Sequence, residues 1–172
     1  MLNDIFNVLL PQTCLGFFII LQLILSMCIS PRQFRFARLI SIIGISLSIV
    51  FLSTVQTEPQ YFAFRNSLMS DSYTLLFDFA ILLCGFFTAL LTKNLVKTMK
   101  RHAYTFHAIL LTAIFAAMNI VSANDFLTLF VSVELMSFST YFLISSSKGY
   151  YSKEASFKYL LTSAISSGIF LF

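Results

Sequence analysis

Six apolar stretches, nearly free of charge, recur along this chain at 13–30, 39–55, 73–91, 104–121, 126–145 and 155–172. Each is long enough, as a helix rising about 1.5 Å per residue, to cross roughly 30 Å of hydrocarbon. Strands are a poor alternative, because runs of this length without period-two alternation would leave an open sheet unsatisfied in lipid. With 58% hydrophobic and only 10% charged residues, the composition excludes an ordinary soluble domain, a disordered tail and a disulfide scaffold. The chain therefore reads as an all-α membrane protein, residues 1–172 forming one domain of about six transmembrane helices in contact with lipid. Pro11 is placed just ahead of the first span and Pro31 at its far end, where proline is tolerated.

Basic residues set the direction. The first, third and fifth connections hold Arg32, Arg35 and Arg38, then Lys93, Lys97, Lys100 and Arg101, then Lys148 and Lys153, whereas the opposite side holds only Arg65. Lysine and arginine in short loops stay on the electrically negative side, so the N-terminus is expected on the positive, outer side. The connection 56–72, with Tyr61, Phe62 and Phe64, becomes an outer loop whose aromatics sit at headgroup level. The net charge of +4 is accounted for in this way, and nothing points to nucleic acid as a partner.

No dinucleotide fingerprint, P-loop, zinc-protease motif or internal repeat is present. Cys14, Cys28 and Cys84 stand apart in apolar surroundings and read as small core residues, so no metal or iron–sulfur cluster is expected in this chain. The start of the sequence lacks the charged region and cleavage site of a secretory signal. Twenty-one Phe and no Trp fit an AT-rich, organellar coding bias.

Three ionisable residues fall inside the spans: Asp78, Glu134 and Lys158. Each costs something like 2.5–3.5 kcal/mol near a helix centre on insertion scales, so each calls for a reason. Glu134 lies near the middle of the fifth span, and its helical face continues through Ser137, Tyr141 and Ser145. It is either a buried carboxyl hydrogen-bonded to a neighbouring helix or a group that loads and releases a proton as a cation approaches and withdraws. Lys158 enters the sixth span one turn from the negative side and admits two readings. It can serve deeper positions, or it can snorkel and pair with Glu154 at the favoured i, i+4 spacing. Beyond it Ser163, Ala164, Ser166, Ser167 and Gly168 form a surface of small residues that expects a partner helix. Asp78 is expected as a hydrated interface residue, His107 as a satisfied structural histidine, and Asp125 as a complement to the dipole of the fifth helix.

The stretch from Ser122 to Ser137 around Glu134, followed by Lys153 to Leu160 and the small-residue helix, resembles the antiporter-like membrane subunits of respiratory complex I. The likeness is to the subunit 2 (bacterial subunit N) type. It implies that Glu134 and Lys158 belong to a chain of buried charges linking quinone reduction elsewhere to proton translocation. It also implies an inner mitochondrial membrane location, with a bacterial plasma membrane or thylakoid as alternatives, and other membrane-arm subunits as partners. FMN, iron–sulfur clusters and quinone would sit elsewhere in the complex, with no cofactor in this chain. The family fold has about fourteen helices, so six are expected to need further helices from another chain or a missing segment. Gln12 departs from the pattern, standing where the family often carries an acid, and Asp78 and His107 have no counterpart in it. A multisubunit cation/proton antiporter and a structural bundle without proton work stay open as alternatives.

Overall fold

The computed structural model describes residues 2–28, 34–55, 61–94, 102–146 and 149–172. They form six long helices and one hairpin: α1 Leu2–Cys28, α2 Phe34–Thr54, β1 Tyr61–Ala63, β2 Leu68–Ser70, α3 Ser72–Leu91, α4 Ala103–Ser122, α5 Phe126–Ser145 and α6 Tyr150–Leu171. Five of the helices contain stretches long and apolar enough to cross a membrane: Leu9–Met27, Phe36–Thr54, Ser72–Leu91, Ala103–Ser122 and Phe126–Ser145. The sixth starts at Tyr150, earlier than the predicted 155, and so takes Lys153 and Glu154 into its first turns beside Lys158. Those charges dilute its apolar character. Pro11 also departs from expectation, for α1 runs through it and buries it fully. A proline inside a membrane helix is tolerated where neighbouring helices cover the freed backbone groups.

Helix α4 is the hub, packing against α1, α2, α3 and α5, while α6 rests chiefly on α5. Leu15, Ile45, Leu82, Leu111, Ile114 and Met118 join the first four helices in one buried cluster. Close approach is set by glycine: a Cβ at Gly44 would stand 2.7 Å from Cγ of Phe18 on α1, and one at Gly85 would stand 2.5 Å from Cδ1 of Ile114 on α4. Polar side chains stitch the same helices together. Gln22 on α1 donates to the Ala37 carbonyl (2.9 Å) and to Ser41 Oγ (2.7 Å) on α2, and Ser26 Oγ lies 2.9 Å from Thr105 Oγ1 on α4.

The outer loop contains an antiparallel hairpin in which Tyr61, Phe62 and Ala63 face Ser70, Met69 and Leu68. Phe64, Arg65 and Asn66 make its turn with φ of 49°, 56° and 71°, a left-handed region unfavourable to residues with a Cβ. Contacts with the α4–α5 link hold that turn in place. Asn124 Nδ2 donates to the Asn66 carbonyl (2.8 Å), the Asn124 amide donates to the Ser67 carbonyl (2.9 Å), and Leu68 bridges Ala123. Phe62 and Phe64 are exposed.

Candidate functional site

Asp125 starts α5. Its carboxylate accepts the Thr128 amide at 2.5 Å, which with the Ser67 hydroxyl holds it below the usual carboxylate range. Nine residues on, Glu134 is partly buried, and its Oε1 is enclosed without a hydrogen-bond partner. The neighbouring hydroxyls do not reach it, since Ser132 and Ser139 are turned back onto the Thr128 and Leu135 carbonyls of their own helix.

Helix α6 runs antiparallel to α5, and side-chain contacts fix the register. Phe126 and Phe130 stack on Phe170 at 5.1 and 6.5 Å, Thr140 Oγ1 donates to Tyr159 Oη at 2.7 Å, and Ser152 donates to the Ile144 carbonyl. Interpolating between these contacts places Glu134 level with about Ala164, and Lys158 level with about Thr140. The axial offset between Glu134 and Lys158 is therefore about six residues, or ~9 Å. One turn beyond Phe130, Glu134 sits at the edge of the face that meets α6, while Leu127, Val131, Phe138 and Phe142 are exposed.

The structure does not bring Lys158 into contact with Glu134. Its ammonium reaches back one turn to Glu154 Oε1 at 2.6 Å, and its side chain is 72% exposed. Of the two sequence readings for Lys158, the i, i+4 pair is the arrangement seen.

Asp78 and His107 differ from expectation. Asp78 is 4% exposed, because the hairpin folds over the outer ends of α1, α3 and α4 and covers it; its Oδ1 has no hydrogen-bond partner. It is not exposed at an interface. His107 is fully buried, edge-on to Phe106, with neither ring nitrogen hydrogen-bonded, so it is not satisfied by protein groups among the described residues. Gln12 on α1, passed over in the sequence except as a departure from a family pattern, donates Nε2–H to Ser122 Oγ on α4 at 3.0 Å. The signal for this cluster was present: Gln12, Asp78 and Ser122 are polar residues near the outer ends of three different helices. Among the described residues, no group of three or more His, Cys, Asp or Glu is placed to hold a metal.

Residues 123–172 match the family described as NADH:quinone oxidoreductase/Mrp antiporter, transmembrane. Across 95% of its length the chain is 31% identical to chloroplastic NAD(P)H-quinone oxidoreductase subunit 2 of Chlorokybus atmophyticus, covering 32% of that protein. It is 32% identical to NADH-quinone oxidoreductase subunit N of Anoxybacillus flavithermus across 96% of its length, covering 34% of that protein. A chain of respiratory complex I from Thermus thermophilus, solved with bound aureothin, superposes on 94% of this chain and 34% of its own length, with a TM-score of 0.78 and 20% identity. This chain has the fold of the part of that complex I chain on which it superposes. It spans about a third of the length of these relatives. The family-matched segment holds α5 and α6 entire, hence Glu134, Lys158 and Tyr159. Gln12, Asp78 and His107 lie outside that segment.

Proposed function

We propose that the chain is part of a proton-translocating membrane-arm subunit of an NADH:quinone oxidoreductase, with Glu134 as the carboxyl that loads and releases protons and Lys158 as its mobile cation. The observation that carries this reading is an intramembrane carboxyl, mid-way along α5, with one oxygen enclosed and unpartnered. A carboxyl so placed is costly unless it works, and a proton or a passing cation is what it lacks. Ser137 and the Thr140–Tyr159 pair supply hydroxyl groups over the offset between Glu134 and Lys158. Hydroxyls both donate and accept, so they suit a proton relay. In one state Lys158 rests on Glu154; in the other it swings its four-carbon stem towards Glu134 and lowers the affinity of that carboxyl for a proton.

The inner mitochondrial membrane is the location proposed, with ubiquinone as the electron acceptor handled elsewhere in the complex; the phenylalanine-rich, tryptophan-free composition supports an organellar origin. Further helices, from another chain or another segment, complete the fold against α5 and α6, and other membrane-arm subunits are the partners. A subunit of a multisubunit cation/proton antiporter is the second reading, since the family description names both systems. Peripheral-arm proteins in the purified complex support the first reading, and their absence supports the second.

Glu134→Gln is expected to cut coupled proton pumping roughly tenfold or more, with the complex still assembled on a native gel. Lys158→Met should do likewise. Undiminished pumping in Glu134→Gln would reduce the chain to a structural bundle, and full activity in Lys158→Arg would favour the snorkelling pair with Glu154.

A further inference from the structure

Beneath the hairpin lies a cavity of about 10 Å³, walled by Leu9 and Leu68 and by four polar residues, Gln12, Ser70, Asp78 and Ser122. One water molecule needs roughly 10–15 Å³ on the same measure, together with two to four polar partners. Asp78 Oδ1 is enclosed and unpartnered, and Asp78 is among the residues that line the space. The other groups have capacity to spare. Gln12 spends one N–H on Ser122, whose own hydroxyl donates to the Met118 carbonyl at 3.0 Å, leaving the Gln12 carbonyl oxygen and a Ser122 lone pair. Apolar cavities stay dry, but a space edged by a carboxyl, an amide and hydroxyls does not.

We infer that this cavity is a binding site for one structural water, which donates to the Asp78 carboxyl and links it to Gln12 and Ser122. The water ties α1, α3 and α4 together under the hairpin and supplies the partner that Asp78 lacks. The ligand is water and not a metal cation, because among the described residues Asp78 is the one acidic group lining the cavity and a bare cation needs more oxygens than those residues offer.

The test is a density map of the intact complex at a resolution that shows waters. One peak at about 2.7–3.2 Å from the Asp78 carboxyl and from Gln12 or Ser122 is expected. An unfilled cavity would overturn the inference, as would a peak ringed by five or more oxygens at ion-like distances. Variants give a second readout in the rate at which the heated complex falls apart. Asp78→Asn keeps an acceptor and should stay within about twofold of the parent, whereas Asp78→Leu strands the water and should accelerate dissociation about fivefold or more. Asp78→Leu as durable as the parent would mean a dry cavity and sink the idea.

Discussion

Asp125 and Asp71 perform the same task at the outer ends of two helices. Asp71 Oδ1 accepts the Thr74 hydroxyl at 2.7 Å and the Thr74 amide at 2.8 Å, and the hydroxyl is the larger cause holding its carboxyl below the ordinary range. For Asp125 the Thr128 amide is the larger cause. Both carboxylates bind protons less readily in the folded state than in the unfolded chain. Their stabilisation is therefore complete above the unfolded value near pH ~4 and is lost as pH falls through the lower folded value. Amide-exchange protection at Thr128, corrected for intrinsic rates, should hold steady from neutral pH to about 4 and fall below it. In Asp125→Asn, which keeps the cap but cannot titrate, that acid limb should vanish; its persistence would assign the limb to another group. Individual residues were unequally legible. Asp125 as a helix-start residue, and the Glu154–Lys158 spacing, follow from position alone. The burial of Asp78 does not, because it depends on a loop folding back over a helix end.

Among elements, the spans were legible because uninterrupted apolar length is a physical requirement of crossing lipid, independent of what each helix touches. Their limits were less so. Helix α1 continues through Pro11, which is fully buried, and α6 begins early because Tyr150 to Glu154 are helical without being apolar. The hairpin was illegible for a different reason: its turn runs Phe-Arg-Asn, with none of the glycine that usually marks left-handed backbone. Contacts to Asn124 sustain it instead. Packing between α1 and α2 makes a sharper forecast. Gly44→Ala drives a methyl into the Phe18 ring and should destabilise by about 1–3 kcal/mol, whereas Gly16, with nothing within 4 Å, should accept alanine with no loss. Thermal dissociation of the complex measures both, and equal behaviour of the two variants would contradict the packing described.

At the scale of the whole molecule, burial is lopsided. Helix α4 has half of its span buried inside the protein, whereas α5 has only 11%. Exposed Leu127, Val131, Phe138 and Phe142 on α5 and Phe157, Ile165 and Ile169 on α6 form an apolar surface suited either to lipid or to further helices. The proposed function requires helices there, since a carboxyl beside that surface would otherwise border acyl chains. A cysteine placed at Val131 in the assembled complex is expected to cross-link to another segment or chain. Reaction solely with a lipid-soluble reagent would leave Glu134 beside the bilayer and remove the basis for a proton path.

The docking of the hairpin on Asn124 also orders events during membrane insertion. Two loops that lie some sixty residues apart in the chain meet only after α3 and α4 have both threaded through the bilayer, so the turn at Phe64 to Asn66 gains its support late. A nascent chain cut short before Asn124 would carry the same hairpin sequence with the Asn66 and Ser67 carbonyls unclaimed by these two bonds, so the clasp closes only once the chain has passed α4.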